Sequence, residues 1–134
     1  QGYCSTMQEV FDQYLGEGRA GNVRVDWARL EDAVRWIVEA GGRAVIAHPG
    51  RYSYDAIQAD AFFDAFKQLG GEGIEVVTGS HRPEQYQKYA EVARQYGFLA
   101  SRGSDFHAPS ESHIDLGSLP ELAAGLKPVW HDWI

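Results

Sequence analysis

The sequence predicts an α/β protein in which helices alternate with parallel strands. Helical and strand-like patterns alternate at least three times along the 134 residues. Each strand-like run is short, almost wholly apolar and bounded by turn residues, which is typical of a strand buried on both faces of a parallel sheet. Polar and titratable residues follow each run. Together these observations indicate a parallel sheet covered by layers of helices.

The first elements along the chain are helical. Residues 5–15 begin with capping-box spacing and continue with apolar residues at helical intervals, so we predict a short helix that ends at the glycines of residues 16–18. A connecting loop is expected over residues 19–27. Leu30, Ala33, Val34 and Ile37 then recur at helical spacing, and they predict a second helix that ends before Gly41 and Gly42.

Strands and helices then alternate. We predict strands over residues 43–48, 73–77 and 98–101, and helices over residues 55–69 and 83–96. Parallel strands need a crossover between them, and the two helical stretches supply it. The chain after these elements is rich in loop residues, and two tryptophans near its end are expected to hold it by packing.

Composition excludes several classes of protein. The 12 basic and 19 acidic residues give a net charge of −7, which argues against a broad nucleic-acid-binding surface. A single cysteine, Cys4, excludes a disulfide framework and a cysteine-based zinc site. No stretch is apolar and long enough to suggest a membrane span. We therefore expect a cytoplasmic protein that does not bind membranes.

Chemically versatile side chains collect where the predicted strands end. His48 closes the first strand, residues 78–82 follow the second, and residues 101–107 follow the third. In parallel α/β folds, ligands bind beyond the carboxyl ends of the strands. The sequence therefore predicts a functional site at this edge of the sheet.

Asp105 and His107 are the first candidates for metal ligands. In extended chain, positions i and i+2 point to the same side, so both side chains could hold one ion. Histidine and carboxylate ligands suit zinc, manganese or iron. Since an isolated Asp-x-His also recurs by chance, a solvated loop with a helix-capping aspartate is the alternative.

Four further residues near the strand ends have two interpretations each. His48 is either a ligand or a structural histidine. Arg51 offers a planar fork for phosphate or carboxylate, or else a surface ion pair. His81 precedes a helix N-terminus, where anions bind, although simple capping by Ser80 also explains the pattern. Glu75, inside the second strand, is either buried and paired or turned into the site, and we give it little weight as a ligand.

The motifs around these residues have a recognisable order. "AVIAHPGRY", "GIEVVTGSH" and "SRGSDFHAP", preceded by "MQEVFDQYLGEG", resemble the C-terminal half of the polymerase and histidinol phosphatase (PHP) superfamily of metal-dependent phosphoesterases. The nearest resemblance is to its bacterial branch of nucleoside 3′,5′-bisphosphate phosphatases and 5′→3′ exoribonucleases. The resemblance implies the C-terminal half of a distorted (β/α)7 barrel, with parallel strands and flanking helices.

The resemblance also implies a site. His48 matches the third-motif ligand of the family, and Asp105 and His107 match its Asp-x-His ligands, so these three are the expected metal-binding and catalytic residues. Arg51 and His81 match positions that would meet substrate phosphate. The expected cofactor is a divalent metal ion, Mn²⁺ ahead of Zn²⁺, Fe²⁺ or Mg²⁺. The expected reaction is hydrolysis of nucleoside 3′,5′-bisphosphates, or of the 5′ end of short RNA, by metal-activated water.

One part of the family pattern has no match. The family opens with a His-x-His strand, and no histidine precedes His48. We therefore expect a single partial domain, with a lead-in over about residues 1–27 and half a barrel over about 28–134, and with the N-terminal half missing. Such a fragment should be inactive alone. It should associate with itself or with its missing half, because half a barrel exposes strand edges.

Two alternatives to this enzyme remain open. The first is a non-catalytic PHP-like scaffold or binding module. The second is an unrelated metal-dependent barrel of the amidohydrolase type, since such barrels also place histidine and aspartate at strand ends.

Overall fold

A computed structural model describes residues 2–110 and 112–133 of the chain. Its elements follow the predicted order. Helix α1 (Met7–Val10) runs into a π-helical turn (Phe11–Leu15), and it is followed by α2 (Leu30–Glu39), β1 (Val45–Ile46), a 3₁₀ turn (Pro49–Arg51), α3 (Ala56–Gln68), β2 (Gly73–Thr78), α4 (Pro83–Tyr96) and β3 (Leu99–Gly103). The prediction of an α/β protein is confirmed.

The sheet is parallel and its strand order is β1-β2-β3. Val45 of β1 pairs with Gly73 of β2, and Gly73 in turn pairs with Leu99 of β3. The register between β2 and β3 shifts after Glu75. Because both pairings are parallel, the carboxyl ends of the three strands lie at one edge, as the sequence predicts.

The core lies on both faces of β2, the middle strand. Ile74, Val76 and Val77 are buried, while Glu75 alone in this strand is partly accessible. Helices cover the strand, and their buried residues are mainly aromatic or small: Phe63 and Phe66 from α3, and Tyr89, Ala90 and Ala93 from α4. Burial on two faces explains why the strand sequence is a continuous apolar run rather than an alternating one.

The tail is held differently from the prediction. Trp133 is 68% exposed, so the expected packing of both terminal tryptophans is wrong. The tail is anchored instead by buried Val129 and by Arg43, whose Nη1 donates to the Val129 carbonyl at 2.6 Å and whose guanidinium pairs with Asp132. An ion pair with a backbone contact fixes the chain without burying the indole rings.

The outer side of β3 is covered by this tail. Ala100 N–H donates to the Lys127 carbonyl at 2.8 Å, and Val129 N–H donates to the Ala100 carbonyl at 2.9 Å. Pro128 thereby forms a parallel bridge with Ala100.

None of the helices in the described part of the chain is long and apolar enough to cross a membrane.

Candidate functional site

His48 stands at the end of β1 in an unusual backbone conformation. Its φ is 31° and its ψ is 56°, in the left-handed region. A non-glycine residue there carries strain of about 1–3 kcal/mol, which persists only when surrounding structure holds it. Glu75 does so from the neighbouring strand, because its Oε2 accepts a hydrogen bond of 2.7 Å from His48 N–H. The chain then enters the 3₁₀ turn that carries Arg51.

The imidazole of His48 has one nitrogen without a partner. Its Nδ1 is buried, and no described residue makes a hydrogen bond to it. Leaving a buried polar atom unsatisfied costs about 1–3 kcal/mol, and such atoms in native folds call for an explanation. A nitrogen that is desolvated and unpaired within the protein fits a metal ligand.

Asp105 lies close to the end of β2. Its Oδ2 accepts a short hydrogen bond from the Ser80 hydroxyl and lies 4.0 Å from Arg51 Nη1. Gly79 permits this approach, since a Cβ at that position would overlap the Ser104 carbonyl oxygen. The carboxylate side chain is 21% exposed, so it is positioned by its neighbours and remains open to a ligand.

The relation between Asp105 and His107 differs from the sequence expectation. β3 ends at Gly103, and Asp105 has a φ of 52°, so these residues are not in extended chain and the i, i+2 argument does not apply. His107 Nδ1 lies 2.8 Å from the Asp105 carbonyl oxygen, to which it donates, and this contact leaves Nε2 with its lone pair. A histidine whose second nitrogen donates to a backbone carbonyl is the usual arrangement of a metal ligand. The His107 side chain is 68% exposed.

Glu75 is the residue that the sequence undervalues. It is half-buried, and desolvation raises the pKa of its carboxyl, while the hydrogen bond from His48 N–H opposes that rise and the nearby charge of Asp105 adds to it. A Cβ on Gly103 would come within 3.0 Å of Glu75 Oε1, so the carboxylate also touches the end of β3. The signal in the sequence is a lone carboxylate inside an apolar central strand.

The two predicted phosphate-binding residues have different surroundings. The Arg51 side chain is 62% exposed and its guanidinium is available to a ligand. His81 is only 7% exposed, and both of its nitrogens contact backbone: Nδ1 lies 3.2 Å from the Val76 carbonyl oxygen, and Nε2 accepts from Gly50 N–H at 2.9 Å. Burial lowers the pKa of His81, which agrees with a neutral ring. In this arrangement His81 supports the turn that carries Arg51, and direct contact with phosphate stays a prediction.

The predicted ligands share an edge of the sheet without forming a complete metal cage. Within residues 2–110 and 112–133, no group of three or more His, Cys, Asp or Glu side chains is gathered closely enough to hold an ion. The unpartnered His48 nitrogen, the Asp105 carboxylate and the oriented His107 ring nevertheless fit the donor set of a divalent metal. The geometry fits a contribution to a metal site, with further ligands required.

Comparison with known proteins gives relatives along nearly the whole chain. No family model matches it. It is 46% identical over 131 residues to a 3′,5′-nucleoside bisphosphate phosphatase of Chromobacterium violaceum, covering 98% of this chain and 46% of that protein. It is 39% identical over 132 residues to the 5′-3′ exoribonuclease Rnm of Escherichia coli, covering 98% and 45%. The chain thus spans about half the length of these curated relatives.

Two solved structures share the fold. An amidohydrolase from Chromobacterium violaceum, with bound sulfate and no metal, superposes with a TM-score of 0.81 at 46% identity, over 96% of this chain and 44% of that one. A candidate metal-dependent phosphoesterase from Bifidobacterium adolescentis superposes with a TM-score of 0.63 at 21% identity, over 91% and 41%, and shows the fold alone. The resemblance predicted from the sequence is confirmed as a similarity: nearly the whole chain is similar to about half of a bacterial 3′,5′-nucleoside bisphosphate phosphatase and of a bacterial 5′-3′ exoribonuclease, and its parallel strands with flanking helices match the predicted partial barrel.

Proposed function

We propose that the protein to which this chain belongs is a metal-dependent phosphoesterase that hydrolyses phosphate esters of nucleotides. The observation that carries the proposal is the exposed Arg51 guanidinium beside Asp105, at the same strand edge as the unpartnered Nδ1 of His48. A cation that binds phosphate and a donor set that suits a metal are the two requirements of such chemistry. The substrates that we propose are nucleoside 3′,5′-bisphosphates and 5′-phosphorylated short RNA, after the names of the relatives.

The residues of this chain have separate proposed roles in binding metal and phosphate. His48, Asp105 and His107 would hold divalent metal, with Mn²⁺ ahead of Zn²⁺, Fe²⁺ or Mg²⁺. A bound metal supplies a water of lowered pKa and neutralises charge on the phosphoryl oxygens. Arg51 orients the substrate phosphate through its planar donors. Ser80 donates to Asp105 and so keeps the carboxylate directed at the site.

Further ligands are expected from elsewhere, because the site with two or three metal ions that the family resemblance implies needs more than three side chains. The relatives are about twice as long as this chain, and we propose that the remaining ligands lie in the half that it does not span. β1 is a two-residue strand that pairs, among the described residues, with β2 alone, which supports association there with the other half of a barrel or with a second copy. On this proposal the 134 residues alone are inactive.

The test is metal content and activity of the intact protein, measured for the parent and for Asp105→Asn. We expect the variant to lose bound metal, as measured by mass spectrometry, and to lose hydrolysis of a nucleoside 3′,5′-bisphosphate. Asp64→Asn, on the exposed surface of α3, is the matched control and should retain both. Full metal content and activity in Asp105→Asn, with its fold intact, would sink the assignment.

The name of one structural relative favours a second candidate, an amidohydrolase. Such an enzyme also uses histidine and carboxylate ligands. Turnover of phosphate monoesters and of amides by the same preparation separates the two, and Arg51→Ala sharpens the comparison because the guanidinium is expected to matter mainly for phosphate. Failure to hydrolyse either class, in protein that carries its metal, would favour the third candidate, a non-catalytic scaffold.

A further inference from the structure

The two peptide groups that flank the Gly50 Cα are each held by a side chain of α4 or of the segment before it. Gly50 N–H donates to His81 Nε2 at 2.9 Å, and the Gly50 carbonyl accepts from Gln85 Nε2 at 3.2 Å. Gly50 is the residue immediately before Arg51, within the same 3₁₀ turn. The two hydrogen bonds therefore fix the two consecutive peptide groups on either side of the Gly50 Cα, and the one made by Gln85 fixes the peptide group that joins Gly50 to Arg51.

Both partners of Gly50 are themselves held. The His81 ring stacks on Tyr89, with ring centroids 4.8 Å apart, and its other nitrogen contacts the Val76 carbonyl. The Gln85 amide oxygen accepts from Arg82 N–H at 2.8 Å, as part of the cap of α4. Because each side chain uses its second polar atom on the backbone of its own segment, neither is free to follow a movement of the turn.

The contact is also sterically close. A Cβ at position 50 would lie 2.7 Å from His81 Cδ2 and would overlap the Gln85 amide nitrogen. The turn is therefore pressed against the start of α4 with no room for a side chain between them. The opposite side of the turn carries the exposed Arg51, whose Nη1 lies 4.0 Å from Asp105 Oδ2.

We propose that Gln85 is a positioning residue for the substrate phosphate: it holds the peptide group between Gly50 and Arg51, while His81 holds the preceding one, so that Arg51 presents its guanidinium at the site. This inference rests on the proposed function in one respect, that Arg51 binds phosphate. It assigns Gln85 a role beyond its cap of α4 and explains why both nitrogens of His81 are engaged.

The experiment uses the intact protein and two measurements. The first is KM and kcat for a nucleoside 3′,5′-bisphosphate, and the second is the dissociation constant of inorganic phosphate for the metal-free form, by titration calorimetry. Gln85→Ala should raise KM and the phosphate dissociation constant several-fold, up to about tenfold for the loss of one or two neutral hydrogen bonds. Gln85→Glu, which keeps an acceptor for Arg82 N–H but loses the donor to Gly50, should behave similarly. Gln87→Ala is the matched control, since Gln87 is exposed and its side chain makes a hydrogen bond only to Glu91 among the described residues.

A double-variant cycle separates positioning from general stability. In an Arg51→Ala background, Gln85→Ala should weaken phosphate binding no further, because it acts through Arg51. The same loss in both backgrounds would overturn the inference, as would an unchanged phosphate affinity in Gln85→Ala beside a weakened one in Arg51→Ala. If Arg51→Ala itself leaves phosphate affinity unchanged, both the phosphate role and the inference fail. Phosphate binding that follows the expected pattern in a protein without hydrolase activity would support the inference and reject the proposed function.

Discussion

His48 N–H donates a 2.7 Å hydrogen bond to Glu75 Oε2, and this bond joins the end of β1 to the middle of β2. It spans 27 positions of sequence and is made by a residue in a left-handed conformation. The carboxylate thus stabilises a backbone conformation that the histidine would not adopt by itself. Stability of the fold and orientation of a candidate ligand depend on the same contact.

Replacing Glu75 should therefore reduce stability in a graded way. Glu75→Ala leaves the His48 N–H without its acceptor, and we expect the free energy of unfolding to fall by about 1–3 kcal/mol. Glu75→Gln retains an oxygen acceptor and should lose less. Urea unfolding of the intact protein measures both. Glu39→Ala, at the exposed end of α2, should stay within about 0.5 kcal/mol of the parent, and equal losses in the Ala and Gln variants would contradict the role of the hydrogen bond.

Gly79→Ala should disturb the site through sterics alone. A Cβ there would overlap the Ser104 carbonyl oxygen, so the ends of β2 and β3 must move apart. Overpacking of this kind costs about 1–3 kcal/mol. Because Ser80 and Asp105 flank the contact, metal content should fall as well as the unfolding midpoint. An unchanged unfolding midpoint in Gly79→Ala would show that the backbone at Ser104 can move aside without cost and would contradict this prediction.

The pair of Arg43 and Asp132 predicts a dependence of stability on acid. The hydrogen bond from Arg43 lowers the pKa of Asp132 from 3.8 to about 2. A carboxyl whose pKa is lower in the folded state contributes stability above its unfolded pKa and loses it as the pH falls through the folded value. The difference in thermal midpoint between the parent and Asp132→Asn should thus shrink between about pH 4 and pH 2. Since Asp132 is exposed and Arg43 is partly exposed, the difference should also decrease at high salt, and a difference independent of pH would argue against the ion pair.

Metal should stabilise the intact protein, because it binds the folded state. Mn²⁺ at about 100 times its dissociation constant adds about 2.7 kcal/mol to the free energy of unfolding. His48→Asn keeps a residue type that tolerates the left-handed conformation but removes the imidazole, so its thermal midpoint should rise less with Mn²⁺. Tyr54→Phe, on an exposed ring, is the control. An equal rise in His48→Asn would remove this histidine from the ligand set.

Local sequence patterns predict the existence and order of the helices and strands better than the residues at which they begin and end. The strand over residues 43–48 is observed only as Val45–Ile46, because His48 takes a left-handed conformation before Pro49. The third strand extends to Gly103, two residues beyond the prediction, because its pairing with β2 continues past the shift in register. The spacing of apolar residues in the sequence reports which residues are buried. The residue at which a strand ends depends instead on its hydrogen bonds to the neighbouring strand.

The roles of the site residues could be predicted only in part for the same reason. The place of His48, Arg51 and Asp105 after apolar runs makes them candidates, and their roles stay predictions. The weight of Glu75 was missed, since its contacts are with His48 and Gly103, on the two neighbouring strands. The contacts of His81 could not be predicted for the same reason. Its two ring nitrogens make hydrogen bonds to the backbone of Gly50 and Val76, and the spacing of these residues in the sequence does not indicate that they lie together.

Pro128, at the outer side of β3, limits where a further strand can pair with the sheet. Lys127 and Val129 satisfy Ala100, and Pro128 between them has no N–H to offer to a further strand. β1, at the other end of the described sheet, still presents its outer backbone groups. The tail therefore blocks the addition of a strand beside Ala100, whereas β1 is open to a folding partner or to an aggregating copy. If β1 pairs with the other half of a barrel, as we propose, a charged or proline substitution in β1 would block that pairing and aggregation alike.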